Sequence, residues 1–226
     1  MNRSWSEVVP ARLAGAARAA EGRAAAARLS LHTSATHRLP AAAFRPLLAK
    51  LARGLPTVLD VGTGTMTSLA ELSTRVRVGV DAHRPYLENR VDDPTVVPIH
   101  LDAERLEQIF LPRSFALVTL IDVVEHFDLP SAHALLERCE RIAARRVVVF
   151  TPSGEFPQSG YDFHELGGEE YQRHRSVWEP DDFRRLGYSV VILDRFHGPG
   201  NQSFDEAFPD GHRPIDAILA WKNAFE

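Results

Sequence analysis

Four aspartates, Asp60, Asp81, Asp102 and Asp122, stand at or next to the ends of four short apolar runs. The runs are 57 to 61, 76 to 80, 96 to 101 and 115 to 121. Each is read as a buried strand, and in open α/β sheets ligands bind beyond the carboxyl ends of strands. An acid at such an end accepts hydrogen bonds from hydroxyls and amines, so a series of four describes a site for a ligand rich in donors. After the first run comes Asp60-Val61-Gly62-Thr63-Gly64-Thr65. Gly62 and Gly64 lack a Cβ, which permits a tight turn and a close approach by a ligand. Asp81 follows them by roughly 20 residues, the spacing at which an acid commonly takes ribose hydroxyls. The turn alone also suits a nicotinamide cofactor, although that fingerprint wants a third glycine where Thr67 stands.

The elements that position these acids follow from periodicity. Residues 5 to 29 favour helix through their alanines, although Gly15 and Gly22 weaken it. Residues 30 to 40 are polar and turn-prone. A second helix is expected over 41 to 53, with Phe44, Leu47, Leu48 and Leu51 at helical spacing and Gly54 as its stop. Shorter helices are expected over 66 to 74 and 180 to 186, and a longer one from Ser131, as N-cap, to about Ala144. Further strands are read at 146 to 151, 188 to 195 and 215 to 222. The last carries Ala217, Leu219 and Trp221 on one side. Strands alternating with helices imply a parallel sheet covered on both faces. Residues 197 to 214 are rich in Gly, Pro, Asp and Asn and read as helix-free, so the last strand is expected to be antiparallel.

These segments resemble class I S-adenosylmethionine-dependent methyltransferases. Val58-Leu59-Asp60-Val61-Gly62-Thr63-Gly64-Thr65 looks like that superfamily's first motif, and Gly79-Val80-Asp81 like its acidic second. Leu101-Asp102-Ala103 is similar to the adenine-contacting segment, and Asp122-Val123-Val124-Glu125-His126-Phe127 to the fourth-strand motif. The resemblance implies a Rossmann-like α/β fold. Its sheet would have seven strands, mostly parallel with an antiparallel strand 7, and helices on both faces. Residues 55 to 226 would form the methyltransferase domain, and residues 1 to 54 a helical extension acting as a lid, with His32, His37 and Arg38 between its helices. It further implies S-adenosylmethionine as the cofactor. Asp60 would orient the loop and reach the methionine amine, with Gly62 and Gly64 along the methionine and ribose. Asp81 would bind ribose, and His83 would flank the adenine that Asp102 and Ala103 frame. Asp122 and Val123 would sit near the methionine.

Methyl transfer needs an acceptor held in line with the sulfonium, and a hydroxyl acceptor gains from a nearby base. His126 follows the fourth strand and is the first candidate for that base. Residues 152 to 180 are long for a βα loop and mix aromatic, acidic and imidazole groups. Tyr161, His164, His174 and Trp178 in this excursion are the expected substrate contacts. Asp162, His164 and Glu165 are read as a solvated polar loop rather than a metal site, so no metal is expected. Arg173 and Arg175 suit either an anionic acceptor or surface ion pairs. The excursion also loosely resembles methyltransferases of bacterial glycan and natural-product pathways. A sugar or natural-product hydroxyl is therefore the expected acceptor, with N- or C-methylation as alternatives.

Composition narrows the partners. The formal net charge is -4, with no basic excess to track a phosphate backbone, so nucleic acid is not expected. No apolar run reaches the roughly 18 residues of a membrane span. Cys139 is the only cysteine, which excludes an intrachain disulfide and fits a reducing cytoplasm. The expected partners are a small-molecule acceptor and, at most, a second copy of the chain. Two rival functions stay open from sequence: a nicotinamide oxidoreductase, and a non-catalytic module that keeps the cofactor fold to bind a partner.

Overall fold

The computed structural model describes residues 5–31 and 35–223, with the side chains of residues 5–14 left out. His32 of the expected lid lies outside the described residues.

The strands are β1 (His37–Pro40), β2 (Thr57–Val61), β3 (Val76–Asp81), β4 (Val96–His100), β5 (Phe115–Ile121), β6 (Ala143–Pro152), β7 (Ser189–His197) and β8 (Ile215–Asn223). The helices are α1 (Trp5–Arg28), α2 (Phe44–Ala52), α3 (Thr67–Ala70), α4 (Arg84–Glu88), α5 (Leu106–Ile109), α6 (Leu129–Ile142), α7 (Pro180–Arg185) and α8 (Gln202–Ala207). One sheet of eight strands runs in the order β1-β7-β8-β6-β5-β2-β3-β4. β8 is antiparallel to both β6 and β7, and every other pairing is parallel. The sheet thus has the expected antiparallel last strand and one strand more than the seven expected.

Side-chain alternation explains how one sheet carries two cores. Val147, Val149, Ile218 and Ala220 join the cluster under α6 and α7. Val148, Phe150, Ala217, Leu219 and Trp221 join the cluster under α1 and α2 on the opposite face. α6 buries Ala132, Leu135, Leu136, Cys139 and Ile142, spaced three and four residues apart as one helical stripe requires. Its N-cap is Asp128 rather than Ser131: the Asp128 carboxylate accepts the Ser131 amide at 2.8 Å.

Two other expectations change. The polar stretch before α2 supplies β1, which pairs in parallel with β7 at the sheet edge. There Arg38 bridges Asp194 and Asp216. The sheet therefore draws on residues before 55, and no described residue of 15 to 54 lines the large cleft described below. Gly22, a weak helix former by propensity, is required by packing. A Cβ there would lie 2.2 Å from the Ala42 carbonyl oxygen. Within 197 to 214, α8 forms after all. Asn201 caps it by accepting the Phe204 amide at 3.1 Å, and Phe204 packs with Phe156 and Ile215.

Candidate active site

A cleft of about 640 Å³ opens at the carboxyl ends of β2 to β5, within the usual range for small-ligand sites. Gly62, Gly64, Asp81, Asp102, Asp122 and Val123 line it, together with Ala103 and His126. Eight expected site residues from four strand ends therefore meet in one cavity.

The glycine turn is built from beneath and from the side. Asp60 is buried below it and accepts the Thr63 hydroxyl at 2.7 Å and the Thr119 hydroxyl at 2.6 Å. Both of its oxygens are thereby used, and it shapes the loop without lining the cleft. Gly62 has φ +67°, and a Cβ there would lie 2.7 Å from Val123 Cγ2. Glycine is needed for conformation and for space. Gly64 donates its amide to Asp81 Oδ2 at 2.8 Å, while the His83 amide reaches Oδ1 at 2.8 Å. Each carboxylate oxygen retains a further lone pair for a ligand hydroxyl. Burial raises the Asp81 pKa against these two amide bonds.

Burial is also the main cause that raises Asp60 to about 6, opposed by its two threonine bonds. The native state then holds this proton to higher pH than the unfolded chain does. Stability from this group is full below about pH 4 and is lost as pH rises through about 6. The change is on the order of 2–3 kcal/mol across that window. Asp60→Asn stays neutral and should lack this component. Thermal unfolding at pH 4.5 and 7 should show the wild type losing stability relative to the variant as pH rises. Parallel profiles would mean that Asp60 ionises at its ordinary pKa.

Asp102 accepts the Glu104 amide at 2.8 Å and stays on the cleft wall. Asp122 adopts φ +54°, a left-handed backbone that Asp tolerates better than most residues. Asp122 is an exposed residue that lines the cleft, whereas neighbouring Glu125 is enclosed. Burial, then the charge of Asp122, raises Glu125 well above the usual carboxyl range, so the enclosed Glu125 is the partner that holds a proton. Glu125 Oε2 accepts the Thr151 hydroxyl at 2.8 Å; its buried Oε1 has no hydrogen-bond partner among the described residues.

His83 does not line the cleft. Its Nε2 meets the Leu166 carbonyl at 2.9 Å, and the ring packs against Tyr86 and Tyr171, tying the excursion to the end of β3. Asp162 organises that excursion from within. It accepts the Tyr86 hydroxyl at 2.8 Å and the amides of His164, Leu166 and Gly168. These bonds outweigh burial and lower its pKa. Gly168 sits so close that a Cβ would overlap the Tyr86 hydroxyl. The result is a packed cap over one side of the cleft, to which Tyr171, Gln172 and Arg175 contribute. No sequence pattern marks Tyr86 or Gln172 as site residues.

The four expected substrate contacts separate. Trp178 is corrected to a core residue: it is 1% exposed, stacks on Phe183 at 4.9 Å and donates to Ser176 Oγ at 2.9 Å. Tyr161 is half-buried and lines neither the cleft nor the cavity beside it. His164 is exposed, with its ring 5.5 Å from that of Tyr86. His174 alone reaches the candidate site, its ring 5.1 Å from that of His126. It lines the adjoining open cavity with Phe156, Leu129 and Arg175, and Arg175 also lines the cleft. Arg175 and Arg173 pair with Glu170.

Burial and the neighbouring His174 push His126 down to about 3, partly opposed by the carbonyls of Arg173 and Asp122. Burial lowers His174 to about 4. Both imidazoles are neutral, and His126 is weaker as a base than the sequence suggested. Glu125, His126 and His174 form a cluster whose ligand atoms lie within 4.8 Å of one another. Among the described residues this cluster, and not Asp162, His164 and Glu165, brings such ligand atoms together. The sequence signal was divided: Glu125 and His126 are adjacent, but His174 arrives from the excursion.

Among the described residues no helix is long and apolar enough to cross a membrane. No protein-family model and no curated protein matches the sequence. Solved structures do match the fold. A protein of Bacillus halodurans C-125 assigned to the methyltransferases aligns at TM-score 0.56 and 17% identity, over 81% of this chain and 100% of its own. The methyltransferase domain of a bacterial Hen1 aligns at 0.51 and 20%, over 82% and 97%. The plantazolicin methyltransferase BpumL, solved with a triazolic desmethyl analog and S-adenosylhomocysteine, aligns at 0.50 and 15%, over 81% of each chain. With the acid-lined cleft at the parallel strand ends and the antiparallel β8, the chain has the fold of the class I S-adenosylmethionine-dependent methyltransferases.

Proposed function

We propose that this chain transfers a methyl group from S-adenosylmethionine to a hydroxyl of a small polar molecule, a sugar or natural-product intermediate. The observation that carries the reading is the convergence of the glycine turn, Asp81 and Asp102 on one cleft at the carboxyl ends of β2, β3 and β4. Gly62 leaves room for the ligand, the outward lone pairs of Asp81 accept ribose hydroxyls, and Asp102 accepts the adenine amine. Asp122 and Val123 border the methionine end. BpumL, a natural-product methyltransferase of the same fold, supports a small acceptor. The single, fully buried cysteine fits a cytoplasmic enzyme.

When bound, S-adenosylmethionine supplies an electrophilic methyl: the acceptor oxygen bonds to it as the carbon–sulfur bond breaks, and the hydroxyl proton departs. The chain holds the two partners in line and excludes water. His126 stands where the cleft meets the adjoining cavity and positions the acceptor hydroxyl. Its removal should cost turnover rather than cofactor binding. His126→Ala is expected to lower turnover about a hundredfold or more, with S-adenosylhomocysteine affinity changed less than about threefold. Release of S-adenosylhomocysteine across pools of hydroxylated metabolites is the assay. An unchanged rate would remove His126 from the reaction.

A further inference from the structure

We propose that Glu125, His126 and His174 bind one divalent first-row metal ion where the two cavities join, and that this ion takes the acceptor's hydroxyl oxygen as a ligand. The inference rests on the methyl-transfer reading and deepens it.

The donor set is built rather than incidental. One ligand atom from each residue lies within 4.8 Å of the others. Three ligands about 2.1 Å from one ion stand about 3–3.6 Å apart when spread round it, so closing on an ion needs up to about an ångström of side-chain movement. Glu125 is 2% exposed, and its enclosed Oε1 has no hydrogen-bond partner among the described residues. A buried carboxyl oxygen without a partner is costly, and an ion satisfies it by displacing the Glu125 proton to water.

The imidazoles are oriented for the same task. His174 Nδ1 meets the Phe156 carbonyl at 2.8 Å, and His126 Nδ1 meets the Arg173 carbonyl at a looser 3.3 Å. A carbonyl only accepts, so these contacts favour the tautomer with the proton on Nδ1 and the lone pair on Nε2. Metal-binding histidines are usually held in this way through their other nitrogen. The backbone fixes the third ligand's approach: Arg175 and Ser176 donate their amides to the Glu125 carbonyl at 2.7 and 3.2 Å. The excursion is thereby pinned against the turn that carries Glu125 and His126.

Location gives the ion its role. His126 faces the cleft and His174 the adjoining cavity. Two imidazoles and one carboxylate leave coordination positions open for water and substrate, and suit manganese, iron or zinc better than magnesium. A hydroxyl oxygen bound there becomes more acidic and is fixed in place. Its proton leaves to water as the oxygen–methyl bond forms, and the metal's oxidation state does not change.

The test is Mn²⁺ binding to the full chain after EDTA treatment, read from the loss of the free-ion signal in electron paramagnetic resonance. S-Adenosylhomocysteine calorimetry on each variant runs alongside. The expected result is one Mn²⁺ per chain, with Kd raised at least about tenfold in both Glu125→Gln and His174→Ala. His164→Ala should leave Kd unchanged. If Glu125→Gln fails to fold, His174→Ala, on a half-buried position of the excursion, decides. No stoichiometric Mn²⁺, or the same Kd in His174→Ala, would overturn the metal site. S-Adenosylhomocysteine binding without Mn²⁺ would leave methyl transfer standing and remove the ion. Mn²⁺ binding without S-adenosylhomocysteine would keep the ion site and overturn the methyl-transfer role given to it.

Discussion

Replacing Asp81 with alanine is expected to weaken S-adenosylmethionine binding by about a hundredfold or more, equivalent to about 2.7 kcal/mol. The carboxylate has two tasks. Its oxygens hold the amides of Gly64 and His83, each at 2.8 Å, which fixes the glycine turn and the start of α4. On the proposed reading their remaining lone pairs would accept ribose hydroxyls, and such charge-assisted bonds contribute about 1.5–3 kcal/mol each. Alanine removes the ligand bonds and frees Gly64 from the φ of +55° that its amide bond helps to hold. Asp81→Asn keeps one acceptor oxygen and should lose affinity by a smaller factor, about tenfold. Calorimetry measures both variants, and unchanged affinity in the alanine variant would remove Asp81 from the site.

The second large effect is on stability. Trp178→Ala should cost about 3–5 kcal/mol and lower Tm by roughly 10 °C for a chain of this size. The indole is enclosed, lies 27° from parallel with the Phe183 ring and belongs to the core cluster under α6 and α7. Its Nε1 finds Ser176 Oγ, so even its polar atom is satisfied internally. Truncation would leave a cavity and an unpaired hydroxyl. A substrate-contacting Trp178 would behave otherwise, raising KM with little change in Tm. That pattern would contradict the core assignment.

The contrast between Trp178 and His174 shows where sequence reading stops. The two are four residues apart in a segment whose polar and aromatic mix suggested one substrate wall. One enters the core while the other lines the cavity beside the cleft. Their directions depend on partners distant in sequence. Asp162 anchors the excursion to Tyr86 across 76 residues, and Arg173 reaches His126 across 47. No local period encodes such contacts. His83 followed the same logic, since its ring is spent on Leu166 of the excursion.

The strand ends were legible because their chemistry is local. In β2, β3 and β5 the apolar run, the acid and the turn that follows are contiguous, and the pleat dictates what lies beyond. The antiparallel β8 followed from the missing crossover helix, and the short α8 in that segment did not change its direction. β1 was hidden because His37, Arg38, Leu39 and Pro40 have little strand character of their own. They form a strand because β7 offers an edge in register. α8 was hidden because it spans only six residues between turn-forming neighbours, and it exists to seat Phe204 against Phe156.

The central claim is that the acid-lined cleft binds S-adenosylmethionine. Titration calorimetry of the purified chain with S-adenosylmethionine, S-adenosylhomocysteine and NAD tests it most directly. The account predicts one site per chain for each sulfur nucleoside, abolished by Gly62→Ala, whose Cβ would meet Val123 in a backbone that disfavours side chains, and no binding of NAD. Binding of NAD in place of the sulfur nucleosides, or of none of the three, would contradict it.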